Sequence, residues 1–185
     1  GEYDSYNVIK RIQILSGDTS NLYAFNLRPF SPLERCQLIE YAFEVMGDTV
    51  GFCVIDGIAD LANGINDEDE ATRVTTILLR LSKVHNCHIT TVLHQNKNDN
   101  FATGHIGSAI MKKAEIVLSV TKSKDAPNAS DISNEMSRGV DFEPFQMKID
   151  DQGLPYITGI VKRKEQIMKP AFEPAVSGSF EEEPP

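Results

Sequence analysis

The chain has 185 residues, 41% of them hydrophobic and 24% charged, enough for one domain with a buried core. Its 27 acidic and 18 basic side chains give a formal charge of −9, which argues against a protein coated in nucleic acid but leaves room for a local basic strip. No apolar run reaches membrane-spanning length, no secretory leader is expected, and Cys36, Cys53 and Cys87 form no CxxC pair, so the expected setting is reducing and cytoplasmic, away from membrane.

Within residues 3–16, Val8, Ile9, Ile12 and Leu15 recur at helical spacing, and Gly17 supplies a stop. NLYAFNL at 21–27 reads as a short strand. SPLE at 31–34 is a helix start, with Ser31 as N-cap, Pro32 at the first helical position and Glu34 three residues after the cap. This helix should run to about Met46, before Gly47, with Cys36, Leu38, Ile39, Ala42, Phe43 and Met46 on its apolar face. GFCVID at 51–56 is a strand in which four apolar residues end on Asp56. ADLANGINDEDE reads as a loop, and the acids at 67–70 suit the N-terminus of a helix over 71–85. HITTVLH at 88–94 is rich in β-branched residues and ends on His94 and Gln95. A polar stretch then leads to a short helix around 106–113 and a strand at 114–122. SKDAPNASDISNEMSRG reads as a long loop, and VDFEPFQMKID with GLPYITGIV flank Asp151-Gln152 as a hairpin. Residues 166–185 form an acidic, Pro-rich tail that is expected to be disordered, which leaves 1–165 as the folded unit.

Strands separated by helix-length segments imply βαβ units, hence an α/β fold with a mainly parallel sheet flanked by helices and a C-terminal β-hairpin. In such sheets the strand carboxyl ends share one rim, where ligands bind. Asp56 and the pair His94-Gln95 end two strands there, and Ser137-Arg138-Gly139 precedes the hairpin. An acid for Mg²⁺, a polar sensor and an arginine are parts that phosphoryl transfer uses.

FCVIDGIADL resembles the Walker B strand of RecA-like ATPases, and TVLHQNK at 91–97 is similar to their sensor strand, with Gln95 at the sensor glutamine position. GHIGSAIMKKAEIVLSVTK resembles the segment after the DNA-facing loop, and SRGVDFEPFQMKIDDQGLP the arginine-plus-hairpin ending of RepA and DnaB type replicative helicases. Within that group the RepA-like ATPases of mobilisable transposons are the nearest likeness, and the series spans roughly residues 2 to 160. The resemblance implies a RecA-like fold and a DNA-dependent, helicase-type ATPase, expected as a homo-oligomeric ring, acting on single-stranded DNA in replication or mobilisation. It implies ATP and Mg²⁺ as cofactors, with Asp56 on the metal, His94 and Gln95 as sensor, Arg138 acting across subunits, and Lys97, Asn98, Lys112 and Lys113 along the DNA.

The sequence departs from that pattern in two places. No G-x-x-x-x-G-K-[ST] phosphate loop is present, and Met136 stands where the family often has a lysine two residues before the arginine. The expectation is therefore the carboxyl-terminal part of an ATPase core whose phosphate loop and catalytic glutamate lie upstream, inactive on its own.

Simpler roles compete. Asp56 precedes a glycine and could be a turn residue. His85, Cys87 and His88 suggest a metal, but no regular element holds them together. The lysines could belong to a solvated surface, and Phe101 could stack on a base or pack on its own domain. A degenerate RecA-like adaptor, binding DNA or a partner without turnover, is the alternative function; a Mg²⁺ nuclease using Asp56 and Asp60 would need a closer carboxylate cluster.

Overall fold

In the computed structural model, residues 5–95 and 104–160 are described. The elements are helix α1 (Ser5–Ser16), helix α2 (Pro32–Met46), strand β1 (Phe52–Asp56), helix α3 (Glu68–Val84), strand β2 (His88–Val92), helix α4 (Gly104–Met111) and strands β3 (Ile116–Lys122), β4 (Ala129–Ser137), β5 (Phe145–Ile149) and β6 (Pro155–Ile160). Short 3-10 turns at Gly47–Thr49 and Ile58–Leu61 flank β1. The small charge run at 162–164, read from sequence as a solvated surface, the tail, and Lys97, Asn98 and Phe101 lie outside the described residues.

The helix starts follow from their caps. Ser31 and Glu34 form a reciprocal capping box with Pro32 in the first turn, and Gly47 closes α2. Asp67 caps α3 by accepting the Glu70 N–H at 3.1 Å, and Glu68, Asp69 and Glu70 fill the positive first turn. The acidic run is thus a helix start. Gly104 opens α4 at φ +69°, with its Cα against the Ile65 carbonyl. A side chain there would collide with that carbonyl, so glycine is required.

The fold is mixed α/β, but its sheet is not the mainly parallel one expected. β1 and β2 form a two-stranded parallel sheet, whereas β3-β4-β5-β6 form a separate antiparallel sheet in chain order. Two local differences account for this. Residues 21–27 make no strand; at their end the Arg35 guanidinium takes the Leu27 carbonyl, and the Arg28 carbonyl just beyond, at 3.0 and 3.1 Å, acceptors a neighbouring strand would otherwise pair. Residues 129–137, read as loop, instead form β4, which pairs with β3 on one side and β5 on the other. Polar side chains hold that strand: Gln146 Nε2 donates to its cross-strand partner Asp131 at 2.9 Å. The β5–β6 hairpin forms as expected around residues 150–154, with Gly153 at φ +80° against the Arg11 guanidinium of α1.

The main core lies between the β1–β2 pair and its helices. Cys53 and Ile55 point to it from β1; Cys36, Ile39 and Phe43 come from α2, Val74, Leu78 and Leu81 from α3, and Ile106 from α4. Arg80 and Glu40 form an ion pair that links α3 to α2. On the other face of β1, Phe52 and Val54 are exposed, and Phe52 stacks on His88 at 5.6 Å. Parallel sheets usually bury both faces, and this pair buries one. Ile106 is wholly buried and joins α4 to the core. Truncation at Ile106→Ala should therefore cost about 3 kcal/mol in urea unfolding, whereas Ile160→Ala, at a side chain 75% exposed, should change stability by less than about 0.5 kcal/mol.

Candidate functional site

The β1–β2 register sets the geometry of the rim. Phe52 pairs with His88, and Asp56 with Val92, so both strands end level and in the same direction. Leu93, His94 and Gln95 leave β2 on the side where Asp56 leaves β1. Gly57 then crosses close over β2: a Cβ there would lie 3.4 Å from the Val92 carbonyl oxygen. The Asp56–Gly57 peptide is cis.

The Asp56 side chain is exposed and, among the described residues, takes part in no hydrogen bond or ion pair. Aspartates with turn roles in this chain behave differently. Asp18 accepts the Ser20 N–H at 2.8 Å, and Asp150 accepts those of Gln152 and Leu154 at 2.9 and 2.8 Å. Asp56 has the sequence of a turn residue without the bond that defines one. A carboxylate left at a strand end, facing solvent, is available to an external cation or donor.

The turn after Asp56 is fixed firmly. Ile58 is fully buried and Leu61 nearly so, which pins this 3-10 segment to the core. Arg35 adds a third bond, to the Asp60 carbonyl at 2.8 Å, with the Asp60 carboxylate 3.8 Å away. Asp60 is thereby tied to α2 rather than turned to Asp56. Arg73 works beside it: its guanidinium makes paired bonds to Glu70 at 3.0 Å, reaches the Leu61 carbonyl at 2.9 Å and touches the Cys36 sulfur at 3.3 Å. Glu70 also accepts the Asn63 N–H and amide at 2.9 and 3.1 Å. Sequence reasoning singled out neither arginine, although the Glu70/Arg73 spacing of three on one helix was a usable signal.

The remaining candidates are dispersed. Arg138 is exposed, and its guanidinium donates to the carbonyls of Ala114 and Lys112 at 3.1 and 2.9 Å, bracing the turn between α4 and β3. Lys112 and Lys113 project from that turn, beside a cleft against α3. The structure parts the HNCH residues: His85 packs on Phe43 at 5.1 Å, Cys87 is buried beside Leu81, and His88 lies on the exposed Phe52. Cys53 serves as a core side chain, and burial raises the Cys53 and Cys87 thiols above their ordinary pKa. Among the described residues no three His, Cys, Asp or Glu side chains group to hold a metal unaided, and no helix is long and apolar enough to cross a membrane.

No protein-family model matches the chain, and no curated protein matches it. The chemistry must be read from the rim.

The Arg73 hydrogen bonds, with those from Asn63, hold the Glu70 carboxyl at a pKa of about 2, below its ordinary 4.5. The folded state therefore binds the Glu70 proton less tightly than the unfolded chain does. Its stabilisation is complete above pH 4.5 and is lost as pH falls towards about 2. Glu70→Gln should cost about 1 kcal/mol at neutral pH and flatten the acid side of the stability profile. Urea titrations at pH 7 and pH 3 check this, since the variant's deficit should shrink at the lower pH.

Proposed function

We propose that these residues form the metal- and sensor-bearing part of a RecA-like ATPase of the RepA/DnaB helicase type, a DNA-dependent motor of replication or element transfer. One observation carries the reading: a carboxylate without a bond of its own, Asp56, and the polar pair His94-Gln95 leave one rim of a parallel strand pair. That is where α/β folds bind ligands.

Mg²⁺ fits this donor set in one mode only. It commonly keeps several waters and binds through one or two carboxylates plus substrate phosphates. Asp56 supplies a single exposed carboxylate at the end of β1, while Asp60 is tied to Arg35, so ATP would have to bring the rest. When bound, the ion would neutralise charge on the phosphates during transfer. Asp56 would hold it, and His94 and Gln95 would read the terminal phosphate through hydrogen bonds. The phosphate-cradling loop that hydrolysis needs is not among the 185 residues. In this reading Lys97, Asn98, Lys112 and Lys113 face single-stranded DNA, and Arg138, exposed directly after β4, serves a neighbouring subunit of a ring.

A second reading, a RecA-like adaptor that binds without turnover, draws on the Arg138 guanidinium, already engaged by the carbonyls of its own chain. ATP turnover by the full-length protein, with and without single-stranded DNA, separates the two. The motor reading expects DNA-stimulated turnover that falls about a hundredfold in Asp56→Asn. DNA binding with no turnover in the wild type would leave the adaptor.

A further inference from the structure

We infer that an acidic segment of this chain, Phe180-Glu181-Glu182-Glu183, docks in the cleft between α3 and α4, its carboxylates on Lys112 and Lys113 and its ring on Leu79 and Ala109. The contact lies within one chain and does not depend on the reading above.

The cleft has a volume of about 450 Å³, enough for one aromatic side chain and its neighbours. The Ile106 N–H donates to the Ile65 carbonyl at 3.2 Å, so α4 starts beside the start of α3. Both helices line the cleft from there, which places Glu68 towards one end and Leu79 with the two lysines towards the other. Leu79 is 45% exposed and Ala109 lines the opposite wall, an apolar patch next to two cations. Arg138 holds the lysine turn in place by donating to the Lys112 and Ala114 carbonyls. Neither lysine has a carboxylate partner among the described residues. The Thr75 and Thr76 hydroxyls donate to carbonyls of their own helix at 2.7 and 2.8 Å, so an incoming acceptor meets its donors chiefly at the lysine end.

The fitting occupant carries an apolar side chain directly beside several carboxylates. From Pro170 to Pro185 the chain has four glutamates and no cation, and three of the four follow Phe180 directly. Carboxylates only accept hydrogen bonds, which suits ammonium groups left without partners. Glu68 repels them from the far end, so the charges of the cleft set the direction in which the segment lies. Phe180 follows the end of β6 at Ile160 by roughly 20 residues, which reach up to about 65 Å when extended, against a radius of gyration of about 15 Å for a domain of this size. Such a tether gives a local concentration in the millimolar range, so ion pairs that are weak between separate molecules become populated within one. Any polyanion that takes up these lysines has to displace the segment.

Carbodiimide coupling of the full-length protein tests this, because it joins an ammonium to a carboxylate only where the two touch. Lys112 or Lys113 should be joined to Glu181, Glu182 or Glu183 at least about fivefold more often than the exposed Lys83 and Lys122 are, in chains that migrate as monomers on a denaturing gel. The yield should fall severalfold in Phe180→Ala, and also at about 0.5 M salt, where exposed charges are screened. Equal yields at all four lysines would overturn the inference, as would an undiminished yield in Phe180→Ala. So would a link confined to the dimer band, which would give the cleft to the acidic segment of a second copy.

Discussion

The parallel register of β1 and β2 is the constraint on which the rest of this structure depends. Side chains alternate between the faces of a strand, so a slip of one residue would exchange Cys53 and Ile55 with Phe52, Val54 and Asp56. The carboxylate would then meet α2 and α3, where burying an ionised group without a partner is costly. The observed register keeps Asp56 on the exposed face and ends its strand beside Val92. The turn after Asp56, with Ile58 and Leu61 in the core, results from that placement.

Two arginines secure the surroundings. Arg35 gathers the Leu27, Arg28 and Asp60 carbonyls, so the segment before α2 and the turn after β1 are held by one side chain. Arg73 ties Leu61 and Glu70 together next to Cys36. Each satisfies backbone acceptors that would otherwise need water or another strand. Together they make the floor beneath the rim rigid while the Asp56 carboxylate stays unengaged. The exposed Phe52 and Val54 of β1, and Ile116, Leu118 and Val120 of β3, leave apolar surface of the sort that marks contact faces in larger assemblies.

Much of the helical framework was legible in the sequence, because caps are local signals. Ser31-Pro32 with Glu34, and Asp67 with its acidic neighbours, state where α2 and α3 begin without reference to the rest of the chain. The rim was legible for a similar reason: apolar runs that stop abruptly on Asp56 and near His94-Gln95 mark strand ends. The sheet arrangement was not. SDISNEMS has few β-forming side chains, and it becomes β4 only because β3 and β5 flank it and Gln146 bonds to Asp131. NLYAFNL shows the opposite failure, an apolar stretch that reads as a strand but pairs with none, its last carbonyl, of Leu27, bonded by Arg35. The cleft walls at Thr72, Thr76 and His105 were hidden because they meet only through α3–α4 packing.

Whether Asp56 holds a nucleotide-bound metal ion is tested most directly by paramagnetic broadening. Mn²⁺ would be added with ATP to the full-length protein and followed amide by amide in NMR spectra. The amides of Asp56, Gly57 and Gln95 should broaden first, while those of Phe52 and His88, about 13 Å away at the other end of the same strands, should broaden later. Broadening centred on the acidic start of α3, or no selective broadening at all, would contradict a metal site at this rim.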